Sequence, residues 1–350
     1  MNLWNHLSLG HLRLIVQIAM FGLLVYGGTL VGHYAADKIS GELPALSCAY
    51  DKLDAAYCVL IPTQHQLHHR VGEALVTMQQ FSFKVILPLL FTFLTFYAFF
   101  VLLNKMFCGW ICPLGTFQEM LYRLGRGINL QNRYAIHPTQ LPIVRPIKWL
   151  ILIGLVFVLP LLAGLGVTSG ATGDSFCQIC PSRVLTTLAT GDFEQLTINQ
   201  ASLGDWIFST IRAVLFGIIV VTALTLRQPF CRICPLLAFN SLFQRLSPMR
   251  LVKQPHDKCT KCGICHKACP MDIQEIWHES GHKAFHEDCT LCGRCAEFCP
   301  DDKVIQLKFT WWAWFSSSRE YYKRRIKGEK PEGYKVGKKL KAIPIKVEKT

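Results

Sequence analysis

The chain has 350 residues, of which 51% are hydrophobic and 17% charged, with a formal net charge of +14 at pH 7 and 16 cysteines. Its apolar residues gather into blocks instead of recurring at helical or strand periods, a distribution that excludes an ordinary soluble domain. The basic excess lies beside those blocks and in the tail, where it suits a membrane surface and anionic lipid, so no nucleic-acid partner is expected.

Four blocks are long enough to cross a bilayer, which takes about 20 apolar residues per helix. The first runs from Leu14 to Tyr34 and is read as a retained helix, because its apolar run is long and no clear cleavage site follows. The connection after it, residues 35–82, carries more acid than base. It holds Cys48 and Cys58, and also His65, His68 and His69, whose alternatives are a metal site or a solvated cluster.

The second block, Phe83 to Leu103, leads into Cys108-Gly-Trp-Ile-Cys112-Pro113. The connection from Lys105 to Lys148 has a net charge of +5 and therefore faces the cytoplasm under the positive-inside rule. The third block, Ile147 to Val167, is followed by Thr168-Ser169-Gly170-Ala171-Thr172 and by Cys177-Gln-Ile-Cys180-Pro181 in a second acidic outer connection, residues 169–206. The Ser-Gly-Ala-Thr string occurs where some respiratory proteins attach FMN through threonine. The aspartate expected upstream is absent, so a small-residue turn is the ordinary reading and FMN is not expected.

After the fourth block, Ile207 to Leu226, come Cys231-Arg-Ile-Cys234-Pro235 and a tail rich in lysine and arginine. In each of the three cysteine-pair motifs, the proline is suited to the first turn of a following helix. Both termini then lie in the cytoplasm, and the chain is a multi-pass protein of a prokaryotic inner membrane.

From Cys259 the chain reads CTKCGICHKACP and, nineteen residues later, CTLCGRCAEFCP. Each half has the C-x2-C-x2-C-x3-C-P spacing of bacterial ferredoxins, in which three cysteines hold one 4Fe-4S cluster and the fourth reaches the other. The spacing assigns Cys259, Cys262, Cys265 and Cys299 to one cluster and Cys289, Cys292, Cys295 and Cys269 to the second. Soft thiolates suit iron and sulfide. Gly263 and Gly293 let the backbone approach closely, and Pro270 and Pro300 turn the chain away. A pair of zinc sites is the alternative, disfavoured by two matching blocks with the same terminal proline.

Beyond the ferredoxin region, Phe309 to Phe315 contains Trp311, Trp312 and Trp314, read either as an interfacial anchor or as packing against the ferredoxin domain. Ser316 to Thr350 is a lysine-rich tail. The fold class is thus an α-helical membrane protein with four transmembrane helices. Residues 1–250 form the membrane domain, 251–308 a C-terminal cytoplasmic double 4Fe-4S ferredoxin domain, and 309–350 the aromatic segment and basic tail.

Eight cysteines remain outside the ferredoxin blocks. They divide by membrane side into an inner set, Cys108, Cys112, Cys231 and Cys234, and an outer set, Cys48, Cys58, Cys177 and Cys180. Each set suits a further cluster, a third inside and a fourth outside. Reduced thiols or a redox pair are the alternative inside, and disulfides the alternative outside. Haem is not expected, since there is no C-x-x-C-H motif and the second to fourth blocks contain no histidine.

The FCGWICPLG motif, a second C-x-I-C-P after the last span, four spans and a terminal double ferredoxin region together resemble the NapH/NosR/YccM-type membrane ferredoxin family, over most of residues 14–310. The resemblance implies that the inner set and the eight ferredoxin cysteines are functional, in moving electrons between the quinone pool and extracytoplasmic reductase systems. One departure is that two residues separate Cys231 and Cys234 where the family commonly has three. The expected function is a membrane electron-transfer subunit, quinol dehydrogenase-like, relaying electrons between quinone or a cytoplasmic donor and an extracytoplasmic redox partner. A thiol-reducing conduit and a redox sensor or assembly factor are the alternatives. His11, His33, Glu119 and His137 are candidates for quinone chemistry. No catalytic residue for bond-making chemistry is expected.

Overall fold

The computed structural model describes residues 8–31, 60–76, 94, 101–130, 141–189, 191, 193–255, 258–281 and 283–328. Three described helices are long and apolar enough to cross a membrane, in the windows Leu9–Tyr26, Ile147–Gly164 and Leu203–Thr225. They belong to the first, third and fourth expected spans. The second, residues 83–103, lies almost wholly outside the described residues, as do Cys48, Cys58, His33 and His137.

Helix α1 covers Leu9–Val31. Helix α2 is built from Leu60–His65, a π-helical stretch Gln66–Gly72 and Glu73–Val76. The Cys108 motif forms a π turn over Phe107–Ile111 and opens α3, Pro113–Gly127. Helix α4 runs through Ile147–Ile151, the π stretch Leu152–Val158 and Leu159–Gly164. The short α5, Ser175–Ile179, and α6, Pro181–Ala189, follow, and then the long α7, Leu203–Thr225. Ser202 starts α7 by accepting the Asp205 backbone N–H at 3.1 Å, an N-terminal cap. Helix α8 is Pro235–Leu242.

Pro113, Pro181 and Pro235 each occupy the first position of a helix, where the missing N–H costs nothing. The cysteine before each is held extended, with φ/ψ of −56/117° at Cys112, −66/122° at Cys180 and −68/123° at Cys234. A residue preceding proline is sterically driven to that region, so the Cys-Pro dipeptide alone sets how these thiols leave the chain.

The connection at residues 169–206 is not a free loop, for its described part packs into the bundle. Phe176, Cys177 and Leu185 are buried in one apolar core with Leu24, Leu60, Phe107, Leu114, Val156, Ile219, Phe230 and Leu236, and Cys108, Cys112, Cys180 and Cys234 pack against it. Burial of aromatic and branched side chains draws α5 and α6 back into the bundle, so Cys177 and Cys180 are core residues of the bundle and do not stand apart from it in a loop.

The ferredoxin region is a three-stranded antiparallel sheet with helical turns. Strand β1, Met249–Lys253, pairs with β2, Ile305–Phe309, from Met249↔Phe309 to Lys253↔Ile305. Strand β3, Trp312–Ser316, completes the sheet beside β2. Leu251, Ile305, Leu307 and Phe315 are buried on its inner face. The sheet starts before residue 251 and ends after 308, so the aromatic segment is a strand of this domain. Trp314 packs at a tilt against Trp110, 5.4 Å between ring centroids, while Trp311 is 90% exposed.

The ferredoxin region caps one end of the bundle. Helix α1 begins there, with the Leu9 N–H on the Tyr321 hydroxyl at 2.6 Å and the Gly10 N–H on Glu297 at 2.9 Å. Helix α4 also begins there, Lys148 pairing with Asp288 and, at 2.7 Å, with Glu287. Helix α7 ends there, where Arg227 donates to the Ala268 carbonyl at 3.3 Å.

Candidate iron-sulfur centres

The two ferredoxin loops have the same backbone. Gly263 and Gly293 sit at φ 71° and 75°, and Lys261 and Leu291, two residues earlier in each loop, at φ 54° and 50°. Left-handed geometry at two alternate positions folds C-x2-C-x2-C into a compact wrap, and the glycine meets its demand without Cβ strain. Glycine thus serves a torsional need as well as the close approach read from sequence. Short helices α9, Ile264–Ala268, and α11, Arg294–Glu297, follow the two glycines, and α10, Glu275–His278, lies between.

The fold brings the ferredoxin cysteines together. Cys265 lies within electrostatic reach of Cys262 and Cys259, and Cys299 of Cys265. Cys269 reaches Cys292 and Cys289, and Cys295 reaches all three. Burial pushes the thiols of Cys289 and Cys299 up to about 12 and that of Cys265 up to about 11. Thiolates so disfavoured form when a cation compensates them, which fits an iron-sulfur donor set. Cys262 is exposed, whereas Cys269, Cys289, Cys292 and Cys295 are buried.

The buried group faces the membrane bundle, gripped by both inner cysteine-pair motifs. From the Cys108 motif, the Trp110 indole N–H donates to the Leu291 carbonyl at 3.1 Å. From the Cys231 motif, the Arg232 guanidinium donates to the Pro270 and Met271 carbonyls at 3.0 and 3.1 Å and to Asp272 at 2.6 Å. The residues between the paired cysteines therefore hold the loops carrying Cys292 and Cys269. Gly109 lies so close that a Cβ would meet the Thr290 carbonyl oxygen at 2.3 Å and the Cys292 Cα at 3.2 Å. We expect Gly109→Ala to force this contact apart and speed proteolytic release of the ferredoxin domain several-fold, measured by digestion of folded protein in detergent.

Cys108, Cys112, Cys231 and Cys234 converge. Cys231 is in electrostatic reach of Cys112 and Cys108, and Cys234 of Cys108, Cys231 and Cys112. The two-residue spacing of Cys231 and Cys234 does not prevent this. Asn240 Nδ2 donates to Cys108 Sγ at 3.6 Å and Gln118 Nε2 to Cys231 Sγ at 3.7 Å. Cys177 and Cys180 are not remote from this set, for Cys180 is in electrostatic reach of both Cys112 and Cys234.

Other expected groups serve different ends. Glu119 pairs with Arg13, with Arg123 at 3.2 Å and with Arg294 at 3.4 Å. Burial pushes its carboxyl up, but Arg13, Arg294 and Arg123 outweigh that and hold it well below the usual range, making it a fixed anion. His11 hydrogen-bonds Ser8 at 2.7 Å. His68, His69 and Glu73 cluster near the surface, with His69 on Glu73 at 2.8 Å. Gly170–Thr172 is a 3-10 turn closed by Thr172 Oγ1 donating to the Ser169 carbonyl at 2.8 Å. Sequence reasoning missed Lys105, Lys148, Gln64 and Gln118, polar side chains inside the bundle. The glutamines carried one signal, since each lies six residues after a cysteine, Cys58 and Cys112.

Comparison with known proteins agrees with this geometry. Residues 85–131 and 208–254 match the 4Fe-4S binding domain family, and 251–306 match the 4Fe-4S dicluster domain. The former two stretches contain the inner cysteines and the third the ferredoxin cysteines. The chain thus carries 4Fe-4S binding domains of ferredoxin type. Within that class it is similar to NosR- and YccM-type proteins.

It is 30% identical to the uncharacterized protein MJ0750 of Methanocaldococcus jannaschii, over 50% of this chain and 62% of that protein. It is 27% identical to the putative electron transport protein YccM of Escherichia coli, over 49% and 43%. It is 23% identical to the methylamine utilization ferredoxin-type protein MauN of Methylobacillus flagellatus, over 49% and 50%. The chain spans about half the length of the curated relatives it matches. No solved structure matches it.

Proposed function

We propose that this protein is a membrane subunit that relays electrons between its ferredoxin domain, on the cytoplasmic side, and a redox partner on the far side, with quinone as a donor or acceptor. The observation that carries this reading is the clamp of Trp110 and Arg232 on the Cys292 and Cys269 loops. It seats the buried ferredoxin cysteines against Cys108, Cys112, Cys231 and Cys234, the ligands proposed for a third cluster. The exposed Cys262 group then receives or delivers electrons at the surface, and the buried group exchanges them with the bundle.

Four spans and an inside ferredoxin domain agree with the described ends. Helix α1 leaves the ferredoxin face, yet Lys105 is back at that face, donating to Gln244 at 2.6 Å and to the Glu287 carbonyl. Lys105, Arg145, Lys148, Arg227 and Arg232 all gather at that face, the arrangement expected of a cytoplasmic side. A thiol-exchange conduit is less well supported, because Cys177 is buried and exchange requires an accessible thiolate.

The test is iron and acid-labile sulfide per chain, with EPR during an anaerobic redox titration, for the wild type and Cys234→Ser. We expect more iron and sulfide than two clusters require, and loss of one signal in Cys234→Ser with both ferredoxin signals retained. Only two clusters in the wild type and an unchanged spectrum in the variant would refute the membrane relay.

A further inference from the structure

The bundle contains the same hydrogen-bonded unit twice. Gln118 Nε2 donates to the Leu114 carbonyl at 3.1 Å and to Cys231 Sγ at 3.7 Å, while its Oε1 accepts the Phe230 N–H at 3.0 Å. Gln64 Nε2 donates to the Leu60 carbonyl at 3.0 Å and to Cys177 Sγ at 2.9 Å, while its Oε1 accepts the Phe176 N–H at 3.2 Å. Both glutamines are fully buried. In each unit the glutamine is 112 residues from its phenylalanine and 113 from its cysteine. The second strands of the units read Phe176-Cys-Gln-Ile-Cys180-Pro181 and Phe230-Cys-Arg-Ile-Cys234-Pro235.

The two units are inverted. Helix α3 runs beside α7 toward the ferredoxin face, Phe117 stacking on Phe216 at 6.4 Å and Gly125 meeting the Leu224 backbone. Helix α2 runs beside α4 away from that face, from Leu60 to Gly72, where a Cβ would meet the Gly164 Cα at 2.5 Å. Inverted repeats place their shared site near the middle of the bilayer. Here the units meet at their cysteines, with Cys180 in reach of Cys112 and Cys234.

We propose that Cys177 and Cys180 belong to a second iron-sulfur centre inside the membrane, back to back with the one at Cys108, Cys112, Cys231 and Cys234, and that Gln64 and Gln118 are the matched positioning residues of the two. This rests on the reading of the inner quartet as a cluster site. Each glutamine ties the helix after one cysteine to the opposite cysteine pair and aims an N–H at a ligand sulfur, a contact that tunes the potential of such a centre. A buried amide with both ends engaged in the same pattern twice is more than packing requires. The relay then continues from the ferredoxin face into the half of the bundle that opens outward.

The experiment compares Cys180→Ser, Cys234→Ser, Gln64→Glu and Gln118→Glu by iron and sulfide content and EPR potentiometry of the whole protein in detergent. The ferredoxin signals serve as the internal measure of folding. Cys180→Ser is expected to remove a signal that Cys234→Ser leaves in place. Gln64→Glu, which still accepts from Phe176 but replaces the amide donor with an acid, shifts the potential of that Cys180-dependent signal downward, and Gln118→Glu shifts the Cys234-dependent one. If Cys180→Ser keeps every signal while Cys234→Ser loses one, the inference fails and the inner quartet stands. If neither loses a signal, both fail. Unmoved potentials in both glutamine variants would overturn their positioning role.

Discussion

Lys148→Met is expected to loosen the ferredoxin domain from the bundle by about 3 kcal/mol, the low end of the cost of breaking a buried ion pair. Lys148 is fully buried at the start of α4 and pairs with Asp288 and Glu287 across the interface. Removing it leaves Asp288 buried with Arg145 at 3.0 Å and His286 at 3.1 Å, so the carboxylate is weakened but not abandoned. Adding Asp288→Asn to Lys148→Met should recover part of the loss, a coupling that a double-mutant cycle in thermal or proteolytic stability reads directly.

The same contact gives the interface a pH dependence. Burial pushes the Asp288 carboxyl up, but the His286 hydrogen bond and Lys148 outweigh it and hold the group well below the usual carboxylate range. A depressed folded value contributes stability that is fully present above the unfolded pKa, about 3.9, and is lost as pH falls through the folded value. Docking should therefore survive to strongly acidic pH in the wild type. In Lys148→Met its acid release should move to higher pH, measured as the midpoint of proteolytic susceptibility.

Lys105→Met should lower the reduction potentials of the two neighbouring centres without removing either. The Lys105 ammonium is buried, held by Gln244 and the Glu287 carbonyl, and lies in electrostatic reach of both Cys289 and Cys108. It is a cation between the buried ferredoxin cysteines and the inner membrane quartet, and it favours the extra negative charge that reduction brings to either. A unit charge about 8 Å away at an effective dielectric of about 20 is worth about 2 kcal/mol, or on the order of 90 mV for a one-electron couple. EPR potentiometry should find a downward shift of tens of millivolts in two signals, with iron and sulfide content unchanged. A shift confined to the exposed Cys262 group would contradict this role.

Much of the chemistry was legible because its determinants are local. Three of the four ligands of each ferredoxin cluster lie within seven consecutive residues, and Cys-Pro sets the backbone of Cys112, Cys180 and Cys234 through the steric demand of the next ring. The apolar blocks of α1, α4 and α7 were readable for a similar reason, since a span needs only a long enough uninterrupted run. The burial of Cys177 and Cys180 was not legible, because loop charge reports a connection's average and cannot register a short helix returning to the core. For the aromatic segment the sequence left an interfacial anchor and packing against the ferredoxin domain open, and hydrogen bonding to β2 makes Trp312–Ser316 a strand of that domain.

By itself, the sequence determined that this protein binds iron-sulfur clusters, which cysteines form the ferredoxin pair, and which segments seek a membrane. Those properties depend on ligand chemistry, short spacing and apolar content, all carried by adjacent residues. Only the tertiary structure decided which ferredoxin group faces the bundle, that the inner cysteines converge, that Cys180 lies beside Cys112 and Cys234, and that Gln64 repeats the contacts of Gln118. These relations join residues far apart in the chain, and their partners are selected by the packing of helices, where a buried amide or ammonium must find its hydrogen bonds or forfeit its hydration.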